Sequence, residues 1–470
     1  MGKKEKVKNP NKIGALRFWA WQSRALSAGC NFLVLGFITI YCTDALNMPA
    51  VLVGTLLMTS KIFDGVTDLF AGYLIDKTKN TRWGKARPYE LAILGVWLCT
   101  WLLFSTPGDA SLVMKSIWVF VMYSCVNAIF ITLLSANNNA YMVRAFSTQD
   151  QMVKIASFGG VIITVGAMVV NISFPILMGT LATSPQGWST MVAIYAIPLA
   201  IIGIFRFLFV KETNLVDVAA SEKITMKDVI TVLKSNPYIY IICIMQFVSS
   251  LVTNMGIATY FYTYVVGNVA SMSVVMAFSI VVLPLLFFMP MFLKKFQMGK
   301  IILVACGFSV VGGVATFLAG GNMQIIIIAS IIGGIGSLPI AYLTDLMLID
   351  CGSYNESKGL SRMDGTLGAV KGFTNKLGAA AGAGLMGLLL SMSGYDGSLT
   401  VQPESAILMI RLLIGVIPAA LFLIVGIAMF FYKLDKLMPQ INKDIEAKRA
   451  AFLAGEAKLS GAFPSDKLNF

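Results

Sequence analysis

Histidine is absent from this chain, and acidic residues number only 23 in 470 positions. Chemistry that relies on an imidazole, as proton shuttle or metal ligand, is closed to it. The seven cysteines stand singly at Cys30, Cys42, Cys99, Cys125, Cys243, Cys306 and Cys351, and no CxxC pair occurs. Tetrahedral metal sites and a disulfide framework are therefore poorly supported. Charge of either sign is scarce at 13% of residues, against about a quarter in an ordinary soluble domain. The basic start, MGKKEKVKNPNK, lacks the short apolar core and small-residue cleavage site of a signal peptide. The first apolar stretch is accordingly expected to be a retained membrane span.

What is present is hydrophobic: 57% of the residues, arranged in runs that match a bilayer crossing of about 20 residues. Twelve spans are expected, near 17–43, 49–75, 89–106, 113–143, 152–182, 188–210, 237–266, 272–293, 299–319, 323–350, 365–394 and 406–433. The fold class is all-α and polytopic, with two six-helix bundles at 17–210 and 237–433. The polar connection 211–236 joins them, and tails lie at 1–16 and 434–470. Two such halves around a midplane site are the architecture of alternating-access transporters. The segment from 434 reads as a short amphipathic helix or a solvated tail.

A net charge of +13 raises the question of nucleic acid, but its distribution answers it. Lys and Arg gather in the N-terminal tail, in 77–87, 211–234 and 358–371, and beyond Lys433, whereas 44–50, 183–187, 267–271 and 319–322 carry none. Alternate loops being basic is the positive-inside pattern. It predicts a multi-pass protein of the cell membrane with both termini cytoplasmic, and excludes nucleic acid as a partner.

The most informative stretch is Ser60–Tyr89, SKIFDGVTDLFAGYLIDKTKNTRWGKARPY. Lys61, Asp64 and Asp68 fall at i, i+3 and i+7, on one helix face, with Thr67 one position off it. A carboxylate at mid-membrane costs roughly 2.5–3.5 kcal/mol on insertion scales, so two a turn apart require a function. A carboxylate pair in a dry site calls for a cation or a proton. A buried ion pair with Lys61 that merely fixes packing is the alternative.

This segment closely resembles the glycoside–pentoside–hexuronide cation symporters of the major facilitator superfamily. The shared pattern is a basic residue, Asp, three residues, Asp, a small residue, then RWGK-x-[KR]-P-[WY]. Here it is carried by Lys61, Asp64, Asp68, Gly72, Arg82-Trp83-Gly84-Lys85, Arg87 and Pro88-Tyr89. Thr43-Asp44, Val210-Lys211-Glu212 and, more weakly, Asp350…Tyr354-x-Glu356 also match. The resemblance implies that Asp64 and Asp68 hold the coupling ion, Na+ or H+, with Thr67 lending a hydroxyl. It implies no other cofactor or metal. It also implies that Lys61, Arg82, Lys85 and Arg87 act as gate or charge partners.

The expected sugar-binding positions depart from that pattern. The acid of the first span aligns with Ala28, while Arg24 and Asn31 lie on one face of that span. The fourth-span acid aligns with Asn137, the stacking aromatic with Tyr141, and the fourth-span hydroxyl with Leu134, beside Ser135. An arginine of the fifth span is replaced by Ser157, and the lysine of the eleventh is kept as Lys376. In the seventh span Gln246, Ser250 and Asn254 form a polar stripe. It can contact sugar hydroxyls or bond between helices. Asp345 in the tenth span is a further buried acid, a gate partner or a site residue. The expected substrate site is thus Arg24, Asn31, Asn137, Tyr141, Gln246, Asn254 and Lys376. Fewer acids and an added arginine would tolerate an anionic ligand such as a uronide. A neutral glycoside remains open if Arg24 pairs with Asp64 or Asp68.

The function expected is cation-coupled symport of a sugar or glycoside by alternating access. The same scaffold carrying a lipid or other amphiphile is the alternative. A membrane enzyme is disfavoured, since the acids sit mid-span rather than at the surface. Oligomeric state is not legible in the sequence.

Overall fold

The computed structural model describes residues 13–77, 82–146, 149–213, 230, 234–358 and 364–453. Among them every regular element is helical. The first span, α1, is Ala15–Leu35, bent by 41° before Ile38–Ile40 and a π-helical turn at Tyr41–Ala45. Then come α2 (Ala50–Lys77), α3 (Ala92–Leu103, entered through a 3-10 turn at Arg87–Leu91) and α4. The last runs Leu112–Ser124, a π segment Cys125–Ile131, and Thr132–Ala145. α5 (Gln149–Leu181) and α6 (Pro185–Phe209) follow.

In the second half α7 is Tyr238–Asn254, continued by Ala258–Tyr260 and a π turn Phe261–Val265. α8 is Ser271–Ser279 plus Pro284–Lys295, α9 is Met298–Ala319, α10 is Met323–Ser357 and α11 is Asp364–Met392. α12 joins Glu404–Arg411 to Ile417–Met429 through a π turn, and α13 is Leu434–Leu453. Eight of the described helices are long and apolar enough to cross a bilayer, or ten with the two bent pairs. The other two of the twelve fall short for readable reasons. α3 has only 12 α-helical residues, and α11 is diluted by glycine, alanine and two lysines.

Local chemistry sets several ends. Ser184 caps α6 through Gly187 N, with Pro185 opening the helix, and Asn322 caps α10 through Gln324 N and Ile325 N. Such caps satisfy amide groups that no carbonyl can reach. α10 outruns its expected end at 350, because the polar residues Asp350–Ser357 continue the helix where hydropathy has stopped counting. Glycine sets the closest approaches. A Cβ on Gly312 would lie 2.6 Å from Gly333 N, so α9 and α10 touch backbone to backbone.

The chain divides into two compact units. The first is built on α1 to α6 together with Gly256–Ala277 and Ala383–Ile410, and the second holds the rest of α7 to α13. In the second unit a core forms around Ile239, Met245, Ile302, Leu343, Met347 and Val425, and Leu434, Ile441 and Ile445 of α13 belong to it. The amphipathic helix after the last span is therefore docked, which a solvated tail would not be. Asp435 accepts from Gly299 N at 2.6 Å at the start of α9.

Candidate coupling-ion and substrate site

Asp64 lies in the apolar stretch of α2 and is 7% exposed. Its Oδ1 accepts from the Thr132 hydroxyl at 3.0 Å, and Thr132 is itself buried. Thr132 is the first residue after the π segment of α4. The facing hydroxyl is Thr132 and not a residue at 134 or 135. Leu134 is buried, and Ser135 is exposed.

Thr67 directs its hydroxyl to the Asp64 carbonyl at 3.0 Å, so its oxygen stays beside the carboxylate's own turn. Lys61 sends its ammonium to Asn127 Oδ1 at 3.3 Å and over the Tyr123 ring, not to Asp64. The packing ion pair between Lys61 and Asp64 is thus replaced by an amide and an aromatic face. Asp68 sits one turn further along the same helix, and its side chain lies outside the described ones. Together these residues gather a buried carboxylate and at least one hydroxyl on adjoining helices, a donor set suited to Na+ or a proton.

Arg24 goes elsewhere. Its Nε lies 3.3 Å from Glu90 Oε2, and its terminal nitrogen donates to Asn138 Oδ1 at 2.5 Å. Arg206, fully buried, approaches the same Glu90 oxygen at 3.4 Å and also donates to Asn138. The Arg206 guanidinium lies over the Trp21 ring, 3.4 Å from its centroid. Asn137 donates to Ala86 O and to Glu90 Oε1 at 2.9 and 3.2 Å. Two guanidiniums, one carboxylate and two amides thus tie α1, α3, α4 and α6 together.

The alternative in which Arg24 pairs with Asp64 or Asp68 is therefore not what the structure shows, since Glu90 is its carboxylate. Removing one partner of such a buried cluster typically costs 3–5 kcal/mol, by leaving a charge uncompensated. Tyr141 is likewise consumed: it has no exposed surface, its hydroxyl donates to Val210 O at 2.6 Å, and its ring packs on Trp21. No face of Tyr141 is left to stack on a sugar in this arrangement. Asn31 donates to Thr100 at 2.8 Å within the same bundle. Ser157 belongs to side chains outside the described ones.

The second unit carries its own polar seam. Gln246 donates to Asn375 Oδ1 at 2.7 Å, and Ser250 to Asn375 O at 2.6 Å. Asn254 turns back to its own helix at Ser250 O, 2.9 Å away. α7 and α11 can come this close because Gly378 faces Ser250, where a Cβ would lie 2.9 Å from that of the serine. Asp345, expected to be buried, is instead exposed: its side chain is 70% exposed and pairs with Lys371. Lys376 stands on α11 just past Asn375.

The loop after α2 contributes through its backbone. The amides of Lys85, Ala86 and Arg87 donate to the Glu212 carboxylate at 3.2, 2.8 and 2.7 Å. Gly84, at φ +106°, has no room for a side chain: a Cβ there would sit 2.9 Å from Glu212 Oε2 and closer still to Oε1. Arg87 itself donates to Phe207 O and Leu208 O at the end of α6. Arg82 lies over its neighbour Trp83. An acid meets this basic loop, but three backbone amides grip it and the Arg87 guanidinium goes to carbonyls.

A family described as MFS/sugar transport protein matches residues 27–436. The chain belongs to that family. Among its relatives it is 27% identical to the isoprimeverose transporter of Lactiplantibacillus pentosus, over 90% of this chain and 89% of that one. It is 25% identical to the glucuronide carrier protein homolog of Escherichia coli K12, with 88% and 91% covered. A solved bacterial homologue of the human lysosomal transporter Spinster shares the fold, with TM-score 0.66 at 14% identity, covering 92% of this chain and 99% of that one. Within the family, the likeness to glycoside–pentoside–hexuronide symporters carried by Asp64, Asp68 and the RWGKARPY loop holds across nearly the whole sequence. The sequence did not single out Glu90, Arg206, Thr132, Asn375 or Lys371. The two buried arginine partners had a visible signal: Glu90 and Arg206 are charges at the ends of apolar runs.

Proposed function

We propose that this protein is a cation-coupled sugar or glycoside symporter of the cell membrane, with both termini in the cytoplasm. The six-plus-six division at 17–210 and 237–433 belongs to the same reading, as does a coupling ion at Asp64 and Asp68, assisted by Thr67 and Thr132. The observation that carries it is Asp64: a carboxylate buried in an apolar span, met by a hydroxyl from α4 and passed over by Lys61. A cation or proton arriving there removes a charge that resists burial, and so lowers the barrier to the rocking step. Coupling between ion and sugar must be reciprocal. The membrane potential supplies about 2.3 kcal/mol per charge per 100 mV. With each tenfold needing about 1.4 kcal/mol, one charge sustains a gradient of roughly fifty-fold.

Gln246, Asn254, Lys376 and Asn31 remain proposed substrate contacts, and Asn375, which accepts from Gln246, joins them. Arg24 gives no support to an anionic substrate, because Glu90 and Asn138 already occupy its guanidinium. Asp345 with Lys371, and the 82–87 loop with Glu212, are proposed as gate elements. The test is uptake by cells of labelled neutral glycosides and uronides, with and without Na+ at fixed pH, repeated in Asp64→Asn and Asp68→Asn. Cation-dependent uptake in the parent that is uncoupled in both variants is expected. Uptake of no sugar under any cation condition would sink the proposal.

A further inference from the structure

One carboxylate stands apart from everything above. Asp44, at the end of α1, accepts hydroxyl hydrogen bonds from Thr43 at 2.7 Å, from Tyr264 at 2.6 Å and from Tyr395. Tyr264 belongs to the π turn ending α7, and Tyr395 to the segment just after α11. No cation pairs with Asp44 among the described residues. Tyr260, fully buried, shares a hydrogen bond of 2.8 Å with Thr43, and the Tyr260 and Tyr264 rings stand edge-on to Tyr395 at 5.4 and 5.7 Å. Gly397 passes so close that a Cβ would lie 3.2 Å from Asp44 Cα. Three segments far apart in sequence thus converge on one acid, within the first unit.

Two features distinguish this cluster from ordinary packing. Its bonds are hydroxyl to carboxylate, each replaceable by water once parted, so that opening exposes no orphaned polar group. Its arms are also hinged. α1 bends by 41° at Gly36–Phe37, six residues before Thr43, and α7 is broken at Gly256, which has φ +66°. The two breaks face each other, since a Cβ on Gly256 would lie 3.1 Å from Thr39 Oγ1. The tips beyond them can swivel without disturbing the helices below.

We propose that Asp44, through the hydroxyls of Tyr264 and Tyr395, is a reversible latch that closes the outer end of the transport path. Entry of substrate from outside then requires these bonds to open. The proposal rests on the orientation given under Proposed function. It does not require transport to be measured.

Cys42, two residues from Asp44 and 0% exposed, is the reporter. In a background keeping only Cys42, a membrane-impermeant maleimide is applied to intact cells and the labelling rate is followed. Asp44→Asn, and separately Tyr264→Phe with Tyr395→Phe, are expected to raise that rate about tenfold or more, the effect of losing a hydrogen bond to a charged group. Cys306, buried in the second unit, is kept alone in a parallel background and should stay unlabelled. An unchanged Cys42 rate in both variants overturns the latch. So does a joint rise at Cys42 and Cys306, which would make the cluster a determinant of folding. Asp109→Cys, on the exposed turn between α3 and α4, checks orientation alone. If it labels from outside, a failure at Cys42 counts against the latch and leaves the orientation standing. If it does not label, the orientation falls and the latch falls with it.

Discussion

Replacing Gly84 by alanine tests the cradle that holds Glu212, and its cost can be worked out in parts. At φ +106° the residue sits in the left-handed region, where a Cβ costs roughly 1–2 kcal/mol by itself. Gly267 provides that term in isolation, since its φ is +78° and a Cβ there meets nothing within 4 Å. At Gly84 the added carbon also drives into the Glu212 carboxylate, which must withdraw from the amides at 2.7, 2.8 and 3.2 Å. Hydrogen bonds to a charged acceptor are worth about 1.5–3 kcal/mol each, so losing one or two brings the total to about 2.5–8 kcal/mol. The assay is thermal inactivation of the purified protein in detergent, comparing Gly84→Ala, Gly267→Ala, Glu212→Ala and the double variant Gly84→Ala with Glu212→Ala. Gly84→Ala should be at least twice as destabilising as Gly267→Ala. The double variant should be worse than Glu212→Ala only by the backbone term, because the clash has gone. Strict additivity of the two single effects would refute the reasoning.

Thr132→Ala should weaken the apparent affinity for the coupling cation about tenfold, since a buried hydroxyl bond to a carboxylate is lost, while Thr132→Ser should keep it. The readout is the cation dependence of uptake. Asp435→Ala removes the acceptor at the start of α9 and should cost about 1 kcal/mol, seen as faster proteolysis within α13. Burial holds the Asp435 carboxyl above its usual 3.8, with the Gly299 amide pulling the other way. The folded form therefore binds its proton more tightly than the unfolded one, so this group favours folding more as pH falls from neutral. Asp435→Asn should flatten that trend in the same proteolysis assay.

The membrane spans were legible because a bilayer demands long apolar runs whatever the tertiary contacts. Ends were less so: α10 continues past 350 through residues that hydropathy reads as loop. Asp64 was legible for the same reason as the spans, as a charge that an apolar run should not contain. Its partner was not. Thr132 is an unremarkable hydroxyl in sequence, and nothing in the pattern of α4 marks it as the residue that turns toward α2. Arg24 shows the converse. Its residue type suggested an anion, but the carboxylate that claims it sits 66 positions away at the head of α3, a pairing that periodicity within one helix does not reveal.

The turn ending α1 has a second copy. Tyr41 N bonds to Phe37 O, Leu46 N to Tyr41 O and Met48 N to Cys42 O. In α7, Phe261 N bonds to Ile257 O, Val266 N to Phe261 O and Asn268 N to Tyr262 O, at one constant offset. The left-handed residues correspond too, Asn47 to Gly267. Such a point-for-point copy is what an ancient internal duplication leaves behind after the side chains have diverged. By that correspondence Asp44 and Tyr264 hold equivalent positions in the two turns, and they are bonded to each other. Two carboxylates there would repel and two phenols would forgo the charge, so the acid–phenol pair makes the two like turns complementary where they meet.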